Sequence, residues 1–477
     1  MKFEFLALCV LLSLVFSLQS NAGVYQMFIQ KKIEQKKREE SQQRFTPSTR
    51  VDQGSFDQLL DHFDSTQKTT FKQRYYITLD DTHDNALAPV IYYQCGEGNC
   101  LDSGDPIPPA IHTYASELGA AVVILEHRYY GTSQPFNQLT ADNLKYLTYE
   151  QALEDFVSFQ NYVEQNKGLT GKWIFAGGSY SGALSAYYRL KHPDLVVGAL
   201  SSSGVVKTEV SFEDYDRMVA LGLGSDCLAA VQEVTHQIEK VLHDPKALAK
   251  IQATFQSQDV KSGLDFLSVV GDMPSGAVQY GEQDAFCQTL LSSSDHLTSF
   301  ATAGLQIFND LDIKPLDMTF QGMQSTDVAN YEGGAGSRQW AYQSCAQFGG
   351  FGVPYHDPSL SAESALLDLQ YNLDGCNSLF GISTAPDTDA MNATYYKPLL
   401  DPSTTQIFFT NGSQDPYSTL SIAAVNNNVI NPNTSAFTLK GYSHCSDLGS
   451  SDGGIIDQAQ AMFLQLARQW LGMSRNI

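Results

Sequence analysis

Ser179 lies in Gly177-Gly178-Ser179-Tyr180-Ser181-Gly182, between the β-type run Lys172-Trp173-Ile174-Phe175-Ala176 and a small-residue helical stretch, Ala183 to Leu190. A serine at a sharp strand-to-helix turn projects its hydroxyl from the end of a sheet. The N–H of the next residue, Tyr180, then lies at a helix N-terminus, where it can stabilise an oxyanion. Glycine is wanted two residues earlier because a side chain would collide with the tight turn, and Gly177 meets that need. The glycine usual two residues later is Ser181, a small but imperfect substitute. Such a hydroxyl is a nucleophile only beside a base. Downstream, Thr404 to Thr410 reads as a strand followed by the turn Asn411-Gly412-Ser413-Gln414-Asp415-Pro416, and Ala436-Phe437-Thr438-Leu439 reads as a strand running into Gly441-Tyr442-Ser443-His444. In this order His444 takes the proton from Ser179, while Asp415 fixes the imidazole tautomer and stabilises the imidazolium. Other histidines fit less well. His127 precedes Ser179, and His236 and His243 fall on a helical stretch as packing or solvated residues. A Gly-Ser-rich turn is also a common loop, so the motif alone does not decide.

These residues need a frame. Strand-like runs at Val90–Gln94, Ala121–Glu126, Trp173–Ala176 and Val196–Ser201 alternate with helical stretches such as Tyr149–Asn166. That alternation argues for a parallel sheet with helices on both faces. From about Gly204 to Asp401 the pattern turns helical: Asp226–His243 places Leu228, Val231, Val234, Ile238, Val241 and Leu242 on one face, and Lys246–Phe255 continues in register. A last helix runs from about Ile455 to Leu471. The expected fold class is α/β, an α/β-hydrolase fold with an inserted, mainly helical cap. Its expected organisation is a signal peptide (1–22), a pro-segment or surface extension (23–50), the first part of the hydrolase domain (51–203), the cap (204–401) and the second part (402–477). No internal repeat is visible.

Composition bounds the setting. Lys2 followed by the apolar run Leu6-Ala7-Leu8-Cys9-Val10-Leu11-Leu12 and small polar residues before Gly23 reads as a secretory signal peptide, too short to be a membrane anchor. No other stretch is long and apolar enough to span a bilayer. The first 50 residues hold 8 of the 29 Lys and Arg and 4 of the 52 Asp and Glu, leaving 21 basic against 48 acidic residues. Such a surface repels polyanions and suits an acidic compartment, so the basic cluster from Lys31 to Arg38 is not read as nucleic-acid binding. Seven cysteines remain after Cys9 leaves with the signal peptide, and an oxidising route implies disulfides with one thiol over. None of their spacings makes a zinc site, and no cofactor or metal is implied. Asn392 and Asn433 head glycosylation sequons. Asn411 does too, but it adjoins Asp415 and is expected to stay unmodified.

Several motifs carry a family resemblance: Phe56-Asp57-Gln58-Leu59-Leu60-Asp61-His62-Phe63, Phe71 to Tyr76, Gly96-Glu97-Gly98, Glu126 to Gly131, Gly177 to Gly182, Trp340-Ala341-Tyr342-Gln343-Ser344-Cys345, Asn411-Gly412 with Asp415-Pro416, and His444-Cys445-Ser446-Asp447. Together, in order, they resemble the serine carboxypeptidase family of lysosomal Pro-X carboxypeptidase, dipeptidyl peptidase II and thymus-specific serine protease. The chain is similar above all to the last, through Arg338-Gln339-Trp340 and the stretch from Gly178 to Leu184. The resemblance covers nearly everything from Phe56 onward. It implies an acid-active, vesicular or secreted serine peptidase that often cleaves after proline. It places Ser179, Asp415 and His444 in the triad, and the Gly96 to Gly98 loop beside the Tyr180 N–H in the oxyanion environment. It makes Trp340 and Tyr417 the aromatic walls of a proline pocket. It also implies disulfides Cys227–Cys287 and Cys345–Cys376 in the cap and a local Cys95–Cys100 bridge, leaving Cys445 as the odd thiol. The chain departs from the family pattern at Ser181 in the elbow, at Gln347 where relatives often have Glu, and at Tyr417 where relatives often have Trp.

Other motif residues have structural readings. Glu126 to Tyr130 reads as a buried ion-pair and aromatic cluster, Asp61-His62-Phe63 as a turn, and Trp340 and Tyr342 as pocket lining or cap packing. The function expected is a serine exopeptidase preferring proline or a small apolar residue before the scissile bond, acting through an acyl-enzyme. The alternatives are a secreted binding protein with a dead site on the same fold, or an esterase or lipase sharing the elbow. The expected partners are peptide substrates, without nucleic acid and without a membrane span in the mature protein. A homodimer is compatible with the reading. The expected location is the secretory pathway, secreted or lysosomal.

Overall fold

A computed structural model describes residues 49–80, 86–102, 105–310, 313–330, 337–422 and 431–473. The expected signal peptide and nearly all of the 23–50 extension lie outside the described residues. The centre is an eight-stranded sheet of β1 (Thr49–Leu59), β2 (Thr70–Asp80), β3 (Val90–Gln94), β4 (Ala121–Leu125), β5 (Trp173–Gly178), β6 (Gly198–Ser202), β9 (Ile407–Gly412) and β10 (Ser435–Leu439), in the order β1-β2-β4-β3-β5-β6-β9-β10. From β4 to β10 every pairing is parallel, whereas β2 runs antiparallel to both β1 and β4. This is the frame of an α/β-hydrolase fold.

The parallel strands β3, β4, β5, β6 and β9 are buried along their whole length, as strands covered on both faces must be. Alternate residues feed two layers. Tyr92, Val123 and Phe175 face α2 (Tyr149–Lys167) and α3 (Tyr180–Lys191), and Ile91, Ile124 and Ile174 face α1 (Pro109–Leu118) and α12 (Ile455–Leu471). Rings lock each layer: Tyr92 on Phe175 with centroids 4.8 Å apart, Tyr114 on Phe463 at 4.5 Å. The strands β1 and β2 are not among the expected runs. β1 is an edge strand whose residues alternate between exposed and half-buried, so polar side chains interrupt any apolar run.

Strands β6 and β9 are neighbours, Ala199 pairing with Ile407, yet the chain between them is a long, mainly helical insertion. It holds β7 (Glu209–Phe212), α4 (Glu213–Leu223), α5 (Ser225–Glu239), α6 (Pro245–Thr254), α7 (Gly263–Tyr280), α8 (Gln283–Leu290), α9 (His296–Asp310), α10 (Ser337–Gln343), β8 (Gly349–Gly352) and α11 (Leu369–Phe380). Its own apolar cluster includes Val231, Val234, Phe266, Met273 and Phe300. The helix expected over Asp226–His243 ends at Glu239, and α6 begins afresh at Pro245, where the Asp244 side chain caps the N–H groups of Lys246 and Ala247. Among the described residues no helix is long and apolar enough to cross a membrane.

Candidate active site

The turn between β5 and α3 puts Ser179 in a backbone conformation that non-glycine residues rarely adopt, φ 59° and ψ −125°. Its N–H donates to Ser202 O at 2.8 Å, tying the elbow to the neighbouring strand. Gly177 has no room for a side chain, since a Cβ there would lie 2.2 Å from Ser181 O. Ser181 fits by bonding back into the turn: its hydroxyl donates to Gly178 O at 2.6 Å and accepts from Gly178 N at 3.1 Å.

Asp415 follows β9 and His444 follows β10. The two loops approach so closely that a Cβ on Gly412 would lie 2.2 Å from Ser443 O. His444 Nδ1 donates to Asp415 Oδ2 at 2.8 Å, and His444 Nε2 accepts the hydroxyl of Ser179 at 2.8 Å. The other Asp415 oxygen accepts the N–H of Tyr417 at 2.9 Å. Both side chains of the Asp415–His444 pair are fully buried. Burial works against the imidazolium, but the Asp415 charge, together with Cys445 and their hydrogen bonds, outweighs it and holds the His444 pKa well above the ordinary value. The insertion helps to hold this loop. The C-terminal turn of α7 accepts from it twice, Val278 O from Ser443 Oγ at 2.6 Å and Gln279 O from His444 N at 3.2 Å.

The N–H of Tyr180 opens α3, where helix geometry leaves donors without a helical partner. The Gly96 and Gly98 amides, expected to share the oxyanion, are turned into their own loop. Gly96 N donates to Gln94 Oε1 at 3.3 Å and Gly98 N to Gly96 O at 3.2 Å. The Tyr180 ring is fixed through its hydroxyl, which accepts from Gln343 Nε2 at 2.9 Å and lies 3.1 Å from His127 Nε2. Gln343 in turn accepts from Tyr130 at 2.5 Å. Sequence reasoning singled out neither Gln343 nor this network, although the residues stand in three of the quoted motifs.

Glu126 pairs with Arg74 at 2.6 Å, and Arg128 with the buried Asp155 at 2.6 Å, so this cluster supports the loop. His62 joins Asp155 at 2.8 Å and Asp61 accepts the N–H of Phe63, which makes Asp61-His62-Phe63 a structural turn. Gln347 joins the insertion to the start of α2, accepting from Tyr149 N at 3.0 Å and donating to Glu150 at 2.8 Å. Tyr342 packs on Phe380.

Trp340 and Tyr417 wall one cavity of about 110 Å³. The Trp340 ring meets Tyr180 edge-on at 5.6 Å, and the Tyr417 ring lies 5.3 Å from that of His444. The cavity is thus joined to the Ser179 and His444 surroundings through these two rings, while neither Ser179 nor His444 is among its lining residues. It is not the wholly apolar pocket expected, because Asp272 and Glu363 also line it. Both come from the insertion, and neither stands in a motif that would single it out.

Disulfides join Cys95 to Cys100, Cys227 to Cys287 and Cys345 to Cys376, and Cys445 is a buried free thiol. Asn433 is exposed before β10, whereas Asn392 turns its amide onto Thr208, donating to Thr208 O at 2.7 Å. Asn411 is buried within β9. Among the described residues no group of three His, Cys, Asp or Glu side chains is placed to hold a metal ion.

Residues 58–468 match the family described as serine carboxypeptidase S28. The chain is 34% identical to "Probable serine protease EDA2" of Arabidopsis thaliana over 374 residues, covering 76% of this chain and 74% of that protein. It is 29% identical to the thymus-specific serine protease of Mus musculus over 459 residues, covering 88% of this chain and 87% of that one. With the lysosomal Pro-X carboxypeptidase of Mus musculus it shares 38% identity over 160 residues, 32% of this chain and 31% of the other. With a serine at a strand-to-helix elbow bonded to a histidine, and a family match over most of its length, the chain belongs to the serine carboxypeptidase S28 family and is a serine-type peptidase acting on peptides.

Proposed function

We propose that Ser179, His444 and Asp415 are the catalytic triad of an exopeptidase that prefers proline or a small apolar residue before the scissile bond. The observation that carries this reading is the continuous chain of two 2.8 Å hydrogen bonds from Asp415 through His444 to Ser179. Ser179 Oγ attacks the carbonyl carbon while its proton passes to His444 Nε2. The carbonyl π pair moves onto oxygen, which receives the N–H of Tyr180. The tetrahedral adduct collapses, the C–N bond breaks, and the imidazolium gives its proton to the departing amine. Water, deprotonated by His444, then attacks the acyl carbon and frees Ser179 with a carboxylic acid product. Asp415 holds the imidazole in place throughout.

The walls Trp340 and Tyr417 favour a ring whose φ is already fixed, since proline loses little entropy on docking. Three disulfides suit an oxidising route, and that setting, with a relative named lysosomal, supports a secreted or lysosomal location. The test is labelling with a fluorophosphonate, with the modified peptide mapped by mass. Label on Ser179 supports the assignment, and label on another serine, or none, removes it. Peptides with proline, alanine or leucine before the scissile bond then test the pocket, which fails if leucine is cleaved as well as proline.

A further inference from the structure

Asp272 is a buried carboxylate that this mechanism leaves unused. It sits on α7, two turns before the residues that hold the His444 loop, and is 4% exposed. Its Oδ2 is buried without a hydrogen-bond partner and the residue lines the cavity beside the triad. Glu363 lies against the same helix, its Cγ 3.5 Å from where a Cβ on Gly271 would stand, and lines the cavity too. A third acid, Asp216 on α4, backs Glu363, its oxygens taken up by the N–H groups of Tyr355, Ala362 and Glu363.

No lysine, arginine or histidine is among the residues lining this cavity. Burial raises the Asp272 pKa well above the usual carboxylate range, and the Glu363 charge adds to it; burial followed by Asp216 lifts Glu363 to about 8. An unpartnered buried carboxyl is costly, and such groups concentrate where a ligand repays them. The rest of the wall is aromatic, with Phe212, Tyr215, Phe320, Trp340, Tyr371 and Tyr417. Ring faces attract cations. Acids without a counter-ion and a box of rings both ask for positive charge.

We propose that the acidic part of this cavity is a cation subsite, in which Asp272 and Glu363, with the rings of Tyr215 and Tyr371 beside them, hold a protonated amine or guanidinium of the substrate while the proline ring lies against Trp340 and Tyr417 and the scissile carbonyl lies at Ser179. The inference rests on the peptidase reading of Ser179. The cation has two sources on a peptide, its α-amino group or a basic side chain on the acyl side of the cleaved bond.

Four peptides distinguish them: lysine or norleucine before proline, each with a free or an acetylated N-terminus. In the natural enzyme, kcat/KM for the peptides carrying the recognised cation exceeds that for acetyl-norleucine on the order of 30-fold. A gain from the free amine assigns the α-ammonium, and a gain from lysine in acetylated peptides assigns the side chain. In Asp272→Asn and in Glu363→Gln that ratio falls toward one. No gain from either cation, or a gain that persists in both variants, overturns the subsite. A second readout is independent of peptide choice. Benzylammonium should slow fluorophosphonate labelling of the natural enzyme but not of Asp272→Asn, with benzyl alcohol as the neutral control. Labelling without protection overturns the subsite and leaves Ser179 standing, whereas no labelling at all overturns both.

Discussion

The proposed triad and the cavity that Tyr417 joins to it are built by different means. Each proposed triad member follows a sheet strand within a few residues: Ser179 after β5, Asp415 after β9, His444 after β10. The parallel strands β5, β9 and β10, with β6 between the first two, fix where those loops emerge, and two hydrogen bonds to α7 of the insertion help to hold the His444 loop. The cavity instead is lined from Phe212 to Tyr417, by α4, α7, α10, β8 and the segment around Glu363. It exists only because the insertion packs over the strand ends. The proposed chemistry rests on local strand-and-turn rules, and the proposed specificity on tertiary packing, of which the sequence marks Trp340 and Tyr417 but not Asp272 or Glu363.

The largest expected effect breaks the first half of that contrast. Ser179→Ala should lower kcat by a factor of about 10⁵–10⁶, as removal of a triad serine does elsewhere. Ser181→Ala, two residues away, loses only the hydroxyl that closes the elbow on Gly178, and should cost less than about tenfold, on the scale of one buried hydrogen bond. Comparable losses in the two variants would mean that the turn, and not the Ser179 hydroxyl, governs activity.

Next in size is Asp415→Asn, expected to reduce kcat by about 10⁴ through loss of the correct tautomer. It carries a second signature. His444 must be neutral to accept the serine proton, and the Asp415 carboxylate raises its pKa. Removing that charge lowers the pKa, so the acid limb of kcat/KM moves to lower pH. An unmoved limb would assign the titration to another group.

The same contrast explains what was legible in the sequence. The helix Tyr149–Lys167, β3 and the final helix Ile455–Leu471 were readable because apolar periodicity runs their full length. Ser179, Asp415 and His444 were readable because a sharp glycine turn and two strand ends mark them. β1 escaped because exposed residues alternate along it, and β2 because its buried stretch Tyr75 to Leu79 follows the polar and charged residues Lys72, Gln73 and Arg74. Gln343, Asp272 and Glu363 escaped for another reason: a glutamine on a short helix and two acids on an insertion look like ordinary polar positions until the helices are packed. The same holds for Gly96 and Gly98, whose amides bond to Gln94 Oε1 and Gly96 O within their own loop.

Tyr417 is where the two regions touch, and its effect should be smaller. Its hydroxyl narrows the apolar surface that Trp340 otherwise offers. Tyr417→Trp should therefore raise the preference for proline over leucine by roughly three- to tenfold, the scale of about 1 kcal/mol of ring packing. An unchanged ratio would move the proline contact to another wall.

The smallest expected effect concerns stability and belongs wholly to the cavity. Asp272, Glu363 and Asp216 all have carboxyl pKa values raised in the fold, each first by burial, with Glu363 lifted to about 8. The groups facing them are the phenols of Tyr215, Tyr371 and Tyr417, which stay neutral, so the acids meet no compensating charge. Between the unfolded carboxyl pKa of about 4 and the native values, the folded chain holds more protons than the unfolded chain. Stability therefore falls as pH rises across that window, and His444, also raised in the fold, adds to the fall in its own upper range. The protein should melt at a higher temperature near pH 5 than near pH 8. In Glu363→Gln no proton is lost at that position, so the variant should melt a few degrees above the natural protein near pH 8 and close to it near pH 5. If Glu363→Gln loses as much stability as the natural protein over that interval, the acids of the cavity are not its source, and the cation subsite loses the unpaid burial that motivates it.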